Sequence, residues 1–185
     1  MRIEEIYKNW GQCARCPLFQ FRRSTVIGRG SLPCHLFMIG EAPGKSEDLV
    51  GVPFIGPSGS LQAKAQLKAL KELRIPSDLE PLEYITNVLA CRPTDSKGGQ
   101  NREPKPEEAL ACLPRVKALY ALAQPRLVLL VGEVAKHHFQ SVFPEAWSIV
   151  HPAYLIRQGG ESSPMWRNYV RRWVEIYSYL IKGEK

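Results

Sequence analysis

Leu127-Val128-Leu129-Leu130-Val131 is an unbroken apolar run closed by Gly132, and it constrains the fold more than any other stretch of this chain. A strand that alternates apolar and polar residues has one wet face, whereas a strand apolar at every position must be covered on both sides. That is the situation of a parallel sheet between two helical layers. Leu36-Phe37-Met38-Ile39 has the same character, residues 84–89 read as a further strand, and residues 147–150 as a short one. The intervening segments carry helical patterning. Residues 3–10 form a short helix, and Leu61, Ala65, Leu67, Leu70 and Leu73 share helical spacing in a helix that starts at Ser60, is capped by Ser58 or Ser60, and stops before Pro76. Pro106 opens a helix reaching Ala123, residues 133–140 form another, and residues 165–181 form a closing amphipathic helix. The predicted fold is α/β, a three-layer α/β/α arrangement with a central, mostly parallel four-stranded sheet. A chain of 185 residues, 44% of them hydrophobic, is long enough for one well-buried core, so residues 1–185 read as a single domain.

The charge balance narrows the partners. The formal charge is +7 and the pI about 9.3, with Lys and Arg spread along the chain, which favours nucleic acid over an acidic small molecule. A plain solvated basic surface is the alternative. The N-terminus carries Glu4 and Glu5 and no long apolar run, unlike a signal peptide. No stretch approaches the ~20 apolar residues that span a bilayer. The expectation is a monomer, intracellular and cytoplasmic, with no membrane association.

Polar residues at strand ends carry the functional signal. Glu41, Asn87 and His151 each fall at the carboxyl end of a predicted parallel strand, and open α/β sheets place ligands at that edge. Each also has a bland role: Glu41 as a cap on the following turn, Asn87 as a satisfied core amide, His151 as a structural residue before Pro152. Three strands converging on one crevice favour function over three coincidences.

Cys13, Cys16, Cys34, Cys91 and Cys112 are an odd set in a chain without a secretion signal, which argues for metal and against a disulfide framework. The Cys13-Ala14-Arg15-Cys16 pair suits a zinc site, a redox pair or an iron-sulfur site alike. Cys91 ends a strand and Cys112 lies in a helix, so both can meet the pair in space, while Cys34 reads as a small buried hydrophobe. Residues 92–105, rich in Pro, Gly and charge, link Cys91 to the helix of Cys112. They have little apparent reason for order other than a metal group holding both ends.

The run Gly40-Glu41-Ala42-Pro43-Gly44-Lys45-Ser46-Glu47-Asp48, continued by Val52-Pro53-Phe54-Ile55-Gly56, resembles the first motif of the uracil-DNA glycosylase superfamily, and His151-Pro152-Ala153 resembles its second. The form is that of the iron-sulfur, thermostable branch, family 4, which has Ala42 where other branches carry aspartate. The resemblance covers Cys13 to Arg157, and it implies hydrolysis of the N-glycosidic bond of uracil in DNA to leave an abasic site. It implies catalytic roles for Glu41, holding water or stabilising the sugar cation, and for His151, donating to uracil O2. Ala42, Gly44, Glu47, Phe54 and Asn87 then bind the base, with Phe54 as stacking wall, Asn87 reading O4 and N3-H, and Glu47 as a lid. Phe54 has ordinary core packing as its alternative. Leu155 becomes a wedge into the duplex, unless it is simply buried, and Arg157 a phosphate contact. The resemblance assigns Cys13, Cys16, Cys91 and Cys112 to a [4Fe-4S] cluster, with zinc the alternative. Residues 92–105 contain no histidine, so turnover is expected and not covalent capture of DNA. The interval from Gly132 to His151 is short for the family, and strands usual there are expected to be missing. Two other functions stay open: a catalytically weak iron-sulfur nucleic-acid-binding protein of the same fold, and a nucleoside or nucleotide hydrolase.

Overall fold

A computed structural model describes residues 2–182. Its strands are β1 (Arg29–Gly30), β2 (Leu36–Gly40), β3 (Glu83–Asn87), β4 (Leu127–Val131) and β5 (Trp147–Ile149). Its helices are α1 (Ile3–Trp10), α2 (Lys45–Val50), α3 (Pro57–Glu72), α4 (Pro106–Ala123), α5 (Glu133–Phe139), α6 (Pro152–Arg157) and α7 (Trp166–Lys182). The sheet runs in the order β1-β3-β2-β4-β5. All pairings are parallel except that of β1 with β3. The architecture is therefore the expected α/β one, with five strands among the described residues where four were predicted. The extra edge strand is two residues long and exposed, too short to carry any periodicity.

Two cores follow from the alternation of side chains along fully buried strands. Phe37, Ile39 and Leu130 face one side, against Ile6 and Trp10 of α1, Val116 and Leu119 of α4, and Phe139 of α5. Leu36, Met38 and Leu129 face the other, against Ala65 and Ala69 of α3 and Trp173 and Ile176 of α7. Central strands apolar at every position are thus consumed by both layers. No described helix is long and apolar enough to cross a membrane.

The start of α3 differs from the sequence expectation. The helix opens at Pro57, with Gly56 as N-cap and no side-chain cap bond, so Ser58 and Ser60 lie inside it. Glu47 does the capping from a distance: its Oε1 accepts from the Gly56 N–H at 2.9 Å. The unforeseen helices α2 and α6 are six residues each, too short for apolar periodicity to reveal them.

Candidate active site

The carboxyl ends of the parallel strands open on a cleft of about 820 Å³. It lies where the chain leaves β2 for β3 on one side and later returns to β4 on the other, the reversal at which open α/β sheets bind ligands. Glu41, Ala42, Gly44, Glu47, Phe54, Asn87, His151 and Arg157 all line it. Of the crevice and DNA residues read from the sequence, Leu155 alone is elsewhere.

Gly40 and Asn87 are register partners at the ends of β2 and β3. A Cβ on Gly40 would come within 2.5 Å of Asn87 Oδ1 and 2.6 Å of Phe54 Cζ, so the glycine lets these side chains close over the strand end. Asn87 is buried, and its Nδ2 has no hydrogen-bond partner among the described residues. An unpaired buried donor costs roughly 1–3 kcal/mol, a penalty that a ligand carbonyl arriving in the cleft removes.

Phe54 has φ +55, an uncommon backbone state for a bulky residue and one that concentrates at functional sites. Two neighbours hold it there. Arg29 Nη2 donates to the Phe54 carbonyl at 3.3 Å, and Gly59 sits so close that any Cβ on it would collide with that carbonyl. The Phe54 ring centroid is 6.3 Å from that of His151, with the planes at 43°.

His151 is the N-cap of α6, and its Nδ1 accepts from the Ala153 N–H at 3.2 Å. Burial, helped by the nearby Arg157 charge, lowers its pKa to about 4. At neutral pH the ring is therefore uncharged, with its proton on Nε2 and available to donate. Gly132, at φ +92, passes so close that a Cβ would lie 2.8 Å from His151 Cβ. Its role was not legible beyond its closing the β4 run. The Glu41 carboxyl is shifted the other way. Burial raises its pKa, Glu103 adds to the rise, and Arg157 opposes it.

Glu47 braces the rim as well as lining it, since besides capping α3 its Oε2 fills the space beside Gly44 that a Cβ would need. Residues 92–105 prove to be framed by their own polar contacts. Arg92 Nε donates to Asn101 Oδ1 at 2.5 Å and its Nη2 to the Gly99 carbonyl at 2.6 Å. Arg102 pairs with buried Glu108 at 2.6 Å and with Asp95 at 2.7 Å. Burial pushes the Glu108 carboxyl up, but Arg102 and the Lys105 N–H outweigh it and hold it below the usual range. The loop thereby presents Asn101, Arg102 and Glu103 to the cleft, none of which the sequence reading singled out.

Leu155 corrects the wedge assignment. Because residues 152–157 coil into α6 and not an extended loop, Leu155 turns inward and is fully buried in the α3–α7 core. The exposed apolar side chains of that helix are Tyr154 and Ile156. Tyr154 lines the cleft and lies 5.9 Å under the Arg157 guanidinium.

Cys91 and Cys112 are buried and Cys13 and Cys16 half-buried, all at the α1–α4 core. The Cys16 thiol senses Cys112 and Cys13, and the Cys91 thiol senses Cys112 and Cys16, so the four sulfurs share one neighbourhood. Arg22 Nη1 donates to Cys91 Sγ at 3.3 Å and to the Cys13 carbonyl at 2.6 Å. Among the described residues no three His, Cys, Asp or Glu side chains are arranged to hold a single metal ion. A donor set of four thiols suits a tetrahedral zinc ion or an iron-sulfur group. Cys34 stays apart at the foot of β2, its thiol pushed up to about 12 by burial.

The sequence model of the uracil DNA glycosylase superfamily matches residues 27–175. The chain is similar to the type-4 uracil-DNA glycosylase of Pyrobaculum aerophilum, 37% identical over 134 residues, which is 72% of this chain and 61% of that protein. It is similar to those of Sulfurisphaera tokodaii, 30% identical over 80% of this chain and 62% of that one, and Thermotoga maritima, 35% identical over 74% and 65%. These matches span less than two thirds of each relative's length.

Proposed function

Because the chain belongs to the uracil-DNA glycosylase superfamily, we propose that it is a monofunctional glycosylase that hydrolyses the N-glycosidic bond of uracil in DNA and leaves an abasic site. One observation carries the reading: a neutral His151 with a free Nε2–H and a buried Asn87 amide with an unused donor line the same cleft as the constrained Phe54 ring.

A base must leave the stack to be reached, and Phe54 supplies the surface it rests on. Asn87 donates from Nδ2 to uracil O4 and accepts N3–H at Oδ1, whereas cytosine presents the opposite pattern at both positions. As the bond lengthens, the sugar becomes cationic and the base anionic. His151 Nε2–H donates to O2 as that charge grows, which stabilises the transition state more than the ground state. A neutral donor leaves uracil its charge and takes no proton back from it. The Glu41 carboxylate holds the attacking water and faces the cationic sugar. Arg157 and Tyr154, at the mouth, meet the DNA backbone and the gap left by the base.

The four cysteines Cys13, Cys16, Cys91 and Cys112 are proposed to hold a [4Fe-4S] cluster. When bound it would supply a cross-link among the N-terminal segment, the segment that follows β3 and α4. Base recognition and hydrolysis belong to the cleft residues.

A single-uracil oligonucleotide, incubated with the protein and then cleaved at abasic sites with alkali, tests the activity. Strand scission that depends on uracil is expected. Tight binding without scission would leave only a nucleic-acid-binding role, and release of base from free nucleosides but not DNA would point to a nucleoside hydrolase.

A further inference from the structure

Arg115 lies on the buried stripe of α4, between Cys112 and Leu119, and is wholly inaccessible to solvent. A guanidinium keeps its charge at any ordinary pH, and buried charges are normally met by a carboxylate. Here none of the acceptors is one. Nη1 donates to the Ile27 carbonyl at 2.9 Å and to Thr86 Oγ1 at 2.7 Å. Nη2 donates to the Asn87 carbonyl at 2.5 Å and the Val88 carbonyl at 3.2 Å. Thr86 Oγ1 in turn donates to the Ile27 carbonyl at 2.7 Å. Nε has no partner among the described residues.

An apolar side chain of similar volume would fill the same space without bringing a charge into the core, so packing does not explain the residue. The location of the contacts does. The fork closes on the last residues of β3, where the ladder to β2 ends and Asn87 turns into the cleft. On the opposite edge of that segment the Val88 and Leu89 N–H groups donate to the Gly40 and Glu41 carbonyls at 2.8 and 3.1 Å. The peptides around Asn87 are thus held by β2 on one edge and by Arg115 behind.

We propose that Arg115 is a positioning residue for base recognition: Nη2, shared by the Asn87 and Val88 carbonyls while Nη1 anchors on Ile27 and Thr86, fixes the direction from which the Asn87 amide meets the base. The proposal rests on the glycosylase reading above. Lysine keeps the charge but not the planar fork, and cannot hold these separated oxygens in one geometry. Arg115 touches neither base nor sugar, so its effect passes through Asn87 alone.

The test is a double-mutant cycle under single-turnover conditions. Arg115→Lys should slow uracil excision by about 10–100-fold, the range of strong coupling between neighbours, while affinity for abasic-site DNA stays at the wild-type value. In an Asn87→Ala background the same substitution should change the rate less than about 2-fold. An equal loss in both backgrounds, or no loss in either, overturns the proposal. If Arg115→Lys fails to fold by circular dichroism, Thr86→Val, which removes one acceptor of the fork, takes its place. A smaller loss that again disappears with Asn87→Ala is expected, and an Asn87-independent loss overturns it. Independently of activity, the side-chain amide signals that vanish from the ¹⁵N spectrum on Asn87→Asp should shift in whichever fork variant folds; unmoved signals overturn the proposal. A wild type that excises no uracil removes the glycosylase reading, whereas an active wild type matched by Arg115→Lys removes only this role.

Discussion

The two faces of the sheet are built from different chemistry. Beyond β2 and β4, the α3–α7 face is a layer of Leu, Ala and paired aromatics, with Trp173 and Tyr177 5.6 Å apart and tilted at 37°. The α1–α4 face holds four cysteines in one neighbourhood, a fully buried arginine and the buried Glu108 paired with half-buried Arg102. The cleft hangs from both. Phe54, whose ring lies 6.3 Å from that of His151, and Leu155 belong to the apolar layer, while the peptide of Asn87 is gripped from the polar one. One face thus borders the residue proposed to assist bond cleavage and the other the residue proposed to read the base.

The widest separation between the faces should come from their cores. Trp173→Ala should cost about 3–5 kcal/mol of stability by cavity formation yet leave anaerobically purified protein brown. Cys112→Ser should bleach it. Iron analysis beside denaturant titration checks both, and stoichiometric zinc without iron in the wild type would remove the cluster. Next in size, His151→Leu should slow excision by about 2.7–4 kcal/mol, or roughly 10²–10³-fold, while uracil remains preferred over cytosine. Asn87→Asp should act on selectivity instead. Most uracil excision is lost, and weak removal of mispaired cytosine appears, because a carboxylate accepts from the cytosine amino group. Equal uracil rates in Asn87→Asp and wild type would place base reading elsewhere.

Acid should separate the two titrating cleft groups. The Glu41 pKa is raised, chiefly by burial, so excision should decline as pH falls through that raised value, and Glu41→Gln should abolish the decline at a low, flat rate. His151 has a folded pKa of about 4, against roughly 6.5 when unfolded. The unfolded chain therefore binds the proton first. Above about pH 6.5 the residue contributes no pH dependence; between there and about 4 stability drops, and below that its effect levels off. His151→Leu should flatten that part of the stability profile.

The sheet and its long helices were legible because strands buried on both faces, such as 127–131, have no polar residues to confuse the pattern, and because Pro106 marks a helix start. Glu41, Asn87 and His151 were legible as strand-end residues. What escaped notice was set by tertiary contact. The cap of α3 comes from Glu47, ten residues before the helix, and the burial of Leu155 depends on six residues coiling into α6. Arg115 was hidden by its residue type, since arginine normally marks a wet face. Its spacing gave a usable signal: three after Cys112 and four before Leu119, it falls on the apolar stripe of α4.

The cleft draws on the ends of β2, β3 and β5, which occur far apart along the chain. Biosynthesis therefore delivers its parts in a fixed order. When residue 112 has emerged from the ribosome, all five cysteines are already outside, along with Glu41, Phe54 and Asn87, but His151 and the α7 side of the apolar layer have yet to be made. Any chain truncated within that interval carries the four proposed sulfur ligands and Asn87 without His151. Premature termination there therefore leaves a fragment with an uncovered sheet face and an incomplete site.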